Sequence, residues 1–280
     1  MIFINGEKWD VPRFPDGTFN AKMPMPEKSN NEVVWLFDSM EEIILIYYFM
    51  SHAREHHRDF FYRLIMPYIP EARMDRVKHE EEIFTLKYFC NFINEMRFDD
   101  VVVLDPHSTV STALIDRCHI ITSKPYIWEV LAGLPRNTML FYPDSGSVKK
   151  YSKMFLRPYL FGVKQRNWEN QKIEKLQIVG DEENVRDHPI LMVDDICCKG
   201  TTMYYAAKQL KEMGAGQIYV YVSHCENTVL KPNCDGKSLL DYDLINTLYT
   251  TNSIWRANHY KVEVIKEIQN VKIFDWSNER

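Results

Sequence analysis

Two adjacent carboxylates end an apolar run in this chain. The stretch VDDICCKGTTM, Val193 to Met203, follows the hydrophobic PILMV and opens into TTMYYAAKQLKEMG. In an open α/β sheet, ligands gather beyond the carboxyl ends of the strands. The N–H groups left over at a helix start attract phosphate. Asp194 and Asp195 therefore suit sugar hydroxyls or a metal ion, with the turn at 200–203 cradling a phosphate. An acidic strand end that caps the next helix fits the same spacing, and these residues alone leave both readings open.

The elements around that motif repeat a pattern. EVVWLF (32–37) precedes the amphipathic SMEEIILIYYFMSHAREHH, YRLIMPY precedes HEEEIFTLKYFCNFINEM, and DDVVVLD precedes a short helix near 109–116. TMLFYP then precedes SGSVKKYSKMF, PILMVDD precedes 201–213, and GQIYVYVSH precedes a looser region and YDLINTLYTT. Short apolar runs alternating with helical patterns predict mostly parallel sheets covered on both faces. The alternation continues on both sides of about residue 138, which predicts two similar α/β halves, 1–138 and 139–280. Between Arg157 and His188 the chain is polar, basic and poor in regular pattern, as expected of an active-site flap or a solvated loop.

Composition narrows the class. The chain has 280 residues, 45% of them hydrophobic, enough for one large core or two smaller ones. A net charge of −5 argues against a general nucleic-acid binder. The longest apolar run, IILIYYFM at 43–50, is too short to cross a bilayer. The opening MIFINGEKWD lacks the charged and apolar regions of a secretory leader. Six cysteines show neither zinc-type spacing nor a disulfide framework, so a reducing cytoplasm is the expected setting.

Six segments occur in a fixed order: RFPDGTF (13–19), MPYIPEARMDR (66–76), VVVLDPHS (101–108), FYPDSGSVKK (141–150), KQR (164–166) and ILMVDDICCKGTT (190–202). From about residue 11 to about 255 the chain resembles the ribose-phosphate pyrophosphokinases, which make phosphoribosyl pyrophosphate (PRPP). In that family the matching segments read FPDGE, PYxxYARQDR, DLHA or DPHS, SPDxGG, KRR and VDDxxDTGGT. The resemblance implies two phosphoribosyltransferase-like α/β domains. It also implies transfer of the β,γ-pyrophosphoryl group of ATP, with Mg2+, to the C1 hydroxyl of a 5-phosphorylated ribose.

The roles it implies are specific. Phe14 and Asp16 belong to the adenine pocket, completed in the family across a subunit interface. Arg73 and Asp75 hold the ATP phosphates and base, and His107 and Asp144 lie beside the magnesium and the triphosphate. Lys164 and Arg166 are the cations that close over the transferred group. Asp194 and Asp195 bind the ribose 2- and 3-hydroxyls, and Cys198, Lys199, Gly200, Thr201 and Thr202 bind the 5-phosphate. VDDICCKGTT alone also suits a phosphoribosyltransferase that consumes PRPP, and damaged catalytic cations would have suited a non-catalytic regulatory homologue; FPDG, ARMDR, DPHS and KQR favour the kinase.

Departures from the family pattern bear on the acceptor. The DTGGT loop is here Cys198, Lys199, Gly200, Thr201 and Thr202, so an acid has become a thiol and an ammonium has been added. A longer 5-linked anion, such as the diphosphate of ADP-ribose, can use that extra cation, and some phage-type relatives act on ADP-ribose. Drift in a tolerant loop explains the change equally well. FPDGE has become FPDGT through Thr18, and ARQDR has become ARMDR through Met74. The strand–helix unit that precedes FPDGE in the family is mostly missing, so a dimer rather than a hexamer is expected. Supply of nucleotide or NAD precursors follows from the chemistry.

One motif stands apart. HAREH (52–56) fits H-x-x-E-H, an inverted zinc-peptidase signature. No downstream acidic ligand accompanies it, and the helix end REHHRD is expected to face water.

Overall fold

The computed structural model describes residues 1–24, 29–166, 173–180 and 185–265, with the side chains of 164–166 and 173–176 outside the described set. The described chain forms two compact bodies that divide between Thr122 and Ser123. The sequence pattern puts the boundary at 138; helix α4 (Lys124–Gly133) falls instead with the second body. Its Trp128 meets Phe155 edge-on, with ring centroids 5.6 Å apart.

In the first body the order is β1 (Ile2–Ile4), β2 (Glu7–Lys8), β3 (Asn30–Trp35), α1 (Glu42–His56), β4 (Phe61–Ile65), α2 (Thr85–Glu95), β5 (Asp100–Leu104), α3 (Thr109–Leu114) and β6 (Cys118–Ile121). The sheet runs β2-β1-β3-β4-β5-β6. Strands β3 to β6 are parallel, and β1 pairs antiparallel with β2 and β3. Val33, Trp35, Tyr62, Leu64, Val101 and Val103 alternate along their strands and share a core with Ile46, Phe49, Met50 and Ala53 of α1. The alternate residues Val34, Ile65, Val102 and Leu104 are also buried. Burial on both faces is why these strands read as continuous apolar runs.

The second body contains α4, β7 (Met139–Tyr142), α5 (Ser145–Tyr151), β8 (Tyr159–Arg166), β9 (Ile173–Gly180), β10 (Ile190–Cys197), α6 (Thr201–Glu212), β11 (Ile218–Cys225), β12 (Thr247–Thr250) and β13 (Val262–Val264). Its sheet order is β13-β12-β11-β10-β7-β8-β9, parallel throughout except for the β8–β9 pair. Ile190, Met192, Ile218, Val220 and Val222 pack with Met203, Ala206, Ala207 and Leu210 of α6 in one core. Among the described residues no helix is long and apolar enough to cross a membrane.

The stretch after Arg157 departs from expectation. Strands β8 and β9 form an antiparallel pair in which Leu160 faces Gly180 and Val163 faces Gln177. Leu160 and Ile178 enter the core, whereas Val163 and Gln177 are exposed. Among the described side chains of this edge pair few are buried, and so faint an apolar alternation does not read as strand.

The turn from β10 into α6 depends on Gly200, which caps the helix at φ +76. A methyl group there would come within 2.6 Å of Leu239 Cδ2 and 2.9 Å of Leu239 Cβ. Both the left-handed backbone and the close approach exclude a side chain. We expect Gly200→Ala to cost about 1–3 kcal/mol of stability, read from urea unfolding midpoints. In a Leu239→Ala background the same change should cost less, because the 2.6 Å contact with Cδ2 is removed while the 2.9 Å contact with Cβ and the positive φ remain. Equal costs in the two backgrounds would refute the packing account.

Candidate functional site

Strand β7 lies between β8 and β10, so the chain leaves β7 in one direction across the sheet and resumes at β10 on the other side. Ligands of open α/β sheets sit at this kind of switch point, past the strand ends. The parallel register pairs Ile190 with Met139 and Met192 with Phe141. It brings Asp144, two residues beyond β7, and Asp194, near the end of β10, to the same edge.

Helix α5 links the acids. Asp144 is its N-cap and accepts through Oδ1 from the Ser147 amide at 3.0 Å. Ser147 Oγ lies 3.2 Å from the same Asp144 oxygen and 2.7 Å from Asp194 Oδ1. A hydroxyl has one proton to give. The shorter contact assigns it to Asp194, while the amide serves Asp144. One turn further along α5, Lys150 Nζ stands 3.7 Å from Asp195 Oδ2. Successive strand residues point to opposite faces, yet residues i and i+3 of one short helix reach both aspartates. Asp195 is buried, and its Oδ1 accepts from the Ile196 amide at 2.9 Å.

The loop after β10 is propped from the next strand. The Cys198 thiol donates to Glu226 Oε1 at 3.0 Å, and Thr228 Oγ1 donates to Glu226 Oε2 at 2.9 Å. Register pairs Cys197 with Cys225, which delivers Glu226 beside the loop. Asn233 Nδ2 donates to the Thr201 hydroxyl, and Tyr204 OH donates to Asp235 Oδ2 at 2.6 Å. Lys199 is exposed, and Thr201 and Thr202 are half-buried. All six cysteines are free. The Cys225 thiol beside Cys197, together with full burial, pushes Cys197 well above the ordinary thiol range. Burial also pushes Cys234 up to about 11. These two thiols are protonated near neutrality and serve as packing, not as nucleophiles.

The first body carries the other predicted residues. Phe14 and Asp16 sit on a tight hairpin closed by the Arg13–Phe19 bridge and by Phe14 N–H donating to Thr18 O at 2.8 Å. Asp16 Oδ1 accepts from the Thr18 hydroxyl at 2.7 Å and from its amide at 3.0 Å. Those two bonds, the hydroxyl's first, hold the carboxyl below the usual carboxylate range. Asp16 thus shapes the turn, and Phe14 is 49% exposed at its tip.

Arg73 is exposed, whereas Asp75 is buried and paired with the Arg76 guanidinium at 2.7 and 3.1 Å. Arg76 holds the Asp75 carboxyl low against its burial, with smaller contributions from Ser108 and His107. The Ser108 Oγ is buried without a hydrogen bond of good geometry, so it acts on Asp75 by proximity. His107 follows Asp105, whose φ of +43 turns the chain sharply out of β5. Asp75 and His107 are therefore electrostatic neighbours in the first body. Asp144, Asp194 and Asp195 gather with the 198–202 loop in the second. Lys164 and Arg166 lie on β8, with a register shift between Gln165 and Arg166, and their side chains fall outside the described residues.

Sequence reasoning missed Ser147, Lys150 and Glu226. The first two sit in FYPDSGSVKK, three and six places after Asp144, where helical spacing was legible. Glu226 carries no local signal, since only the β10–β11 register brings it to the loop.

No family model matches the chain. Ribose-phosphate pyrophosphokinase 2 of Archaeoglobus fulgidus is 23% identical over 248 residues, 86% of this chain and 86% of that protein. The ribose-phosphate pyrophosphokinase of Prochlorococcus marinus is 27% identical over 207 residues, 72% of this chain but only 60% of the relative. The crystal structure of phosphoribosylpyrophosphate synthetase from Mycobacterium smegmatis superposes with a TM-score of 0.65 at 18% identity, covering 93% of this chain and 86% of that one. The two mostly parallel sheets share that fold, and the chain is a distant homologue of the ribose-phosphate pyrophosphokinases.

Proposed function

We propose that the chain is an ATP-dependent pyrophosphokinase whose acceptor is a ribose carrying a 5-linked phosphate, either ribose 5-phosphate or ADP-ribose. The observation that carries this reading is the linked set of Asp144, Ser147 and Asp194 at the β7–β10 edge, followed by the left-handed turn at Gly200 that opens α6. In the reaction the C1 oxygen forms a bond to the β-phosphorus of ATP, and the α–β bridging P–O bond breaks. AMP leaves with that electron pair, and the C1 hydroxyl proton passes to solvent. Such transfers need positioning and charge neutralisation more than covalent help.

Each group has a task in this reading. Asp194 and Asp195 accept hydrogen bonds from the ribose diol, already held in place by Ser147 and Lys150. The turn at 200–202 offers N–H groups to the 5-phosphate, and Lys199 reaches a second phosphate where one is present. Arg73 and Asp75 bind ATP, with Phe14 and Asp16 at the adenine of a second copy in a homo-oligomer. Lys164 and Arg166 neutralise the transferred group.

Magnesium takes carboxylate and phosphate oxygens, and the Asp144 carboxylate fits that donor set. Bound there, Mg2+ would screen charge on the triphosphate. The His107 imidazole is a poorer partner for so hard an ion and serves better as a hydrogen-bond donor to phosphate.

Incubation with ATP and Mg2+ should give AMP and a C1-pyrophosphorylated ribose, followed by phosphorus NMR in parallel runs with ribose 5-phosphate and ADP-ribose. No AMP with either acceptor would favour a nucleotide-binding regulatory homologue instead. Lys164→Ala should lower kcat by roughly 10²–10³ with the thermal midpoint unchanged; an unaltered rate would remove Lys164 from the reaction. Lys199→Ala should weaken ADP-ribose more than ribose 5-phosphate in KM. Equal losses on the two acceptors would show that the exposed ammonium does not read the longer anion.

A further inference from the structure

Helix α1 ends in a group of side chains that the pyrophosphokinase reading does not use. His52, Glu55 and His56 are all exposed, and a ligand atom from each lies within 4.8 Å of the other two. The two imidazoles are 4.2 Å apart at their centroids and inclined at 61°. Positions i, i+3 and i+4 share one helix face, so the backbone itself gathers the three. That backbone is closed to its end, since the His57 amide donates to Ala53 O at 2.7 Å.

We propose that this face of α1 is a zinc site, with His52, His56 and the Glu55 carboxylate as its protein ligands. Two neutral imidazoles and a carboxylate are a donor set that zinc accepts and magnesium does not. Tetrahedral zinc with bonds of about 2.0–2.1 Å sets its ligands about 3.4 Å apart. Exposed side chains close the remaining distance by small rotamer changes, with no cost in core packing. Location adds to the fit, because a cation is favoured in the last turn of a helix.

The guanidinium of Arg54, two residues after His52, is engaged elsewhere. Arg54 donates to the carbonyls of Arg58, Phe60 and Arg97 and pairs with Asp99 at 2.7 Å. Glu55 disfavours an anion at the same place. With three protein ligands the metal keeps an open position, filled by water or by a donor from another molecule. The proposed function gives none of these three residues a role, so the test is independent of the proposed activity.

The untagged full chain is titrated with Zn2+ in a calorimeter and with Co2+ followed by visible absorption, in the absence of nucleotide. One equivalent should bind, with the d–d bands of nitrogen and oxygen ligation. His52→Gln and His56→Gln should each weaken binding at least by the roughly 10–100-fold that outer-shell partners of a metal contribute. Zinc should raise the thermal midpoint of the unaltered chain and leave that of His52→Gln where it was. Circular dichroism checks that these surface variants keep their fold. Failure to bind tighter than about 1 mM, equal binding by the variants, or a thiolate charge-transfer band marking the cysteines would each overturn the site.

Discussion

One hydroxyl proton between two carboxylates sets the terms for the second body. Asp144 and Asp194 each bring an oxygen within hydrogen-bond reach of Ser147 Oγ, so those oxygens are no more than about 6 Å apart. Two unit charges at that distance repel by roughly 3 kcal/mol in the effective dielectric near a protein surface. A hydrogen bond to a charged group returns about 1.5–3 kcal/mol, so the Ser147 hydroxyl and amide offset much of the repulsion. The Lys150 ammonium does the same for Asp195 at longer range. The acids are thereby held together at one edge of the sheet.

The loop beyond β10 illustrates how charge can move through a fold without leaving a site. Where the resembling family carries an acid, this chain has Cys198, and its thiol donates to the Glu226 carboxylate. A negative charge thus stands beside the loop but is anchored on the neighbouring strand. Cys198 and Glu226 share a site because parallel pairing of β10 with β11 aligns Cys197 with Cys225. Leu239 packs close behind the loop at Gly200 and Asn233 donates to the Thr201 hydroxyl, while Lys199 is exposed. The 226–242 segment props the loop, and Lys199 and Glu226 supply the charges described at it.

Much of this was legible before the structure. The strands with both faces buried, β3, β4, β5, β7, β10 and β11, announce themselves as apolar runs, and α1, α2 and α6 as amphipathic ones. Weakly buried elements were not. Strand β6 has four residues, none of them fully buried, and β8 with β9 pairs at the sheet edge. Helix α4 begins at a Lys-Pro step that reads equally as a turn, although proline is well tolerated in a first helical turn. At the candidate site, adjacency marked Asp194 and Asp195 in the sequence, and the fold sets them beside Ser147 and Lys150 of α5. Glu226 and Asn233 carried no such mark, because only pairing between distant segments makes them neighbours of the loop.

Donor chemistry separates the two metal sites proposed for this chain. The switch-point edge offers carboxylate oxygens braced by hydroxyl, amide and ammonium donors, a donor set that suits the magnesium proposed there. The end of α1 offers two imidazoles and one carboxylate on exposed side chains with no phosphate-binding turn beside them. Nitrogen donors raise affinity for zinc far more than for magnesium. In this proposal zinc and magnesium would be sorted by ligand type and not by cavity size. The same helix periodicity that buries Ile46, Phe49, Met50 and Ala53 leaves His52, Glu55 and His56 together on the solvent side. One heptad-scale pattern therefore supplies the core with its apolar face and the surface with its ligands.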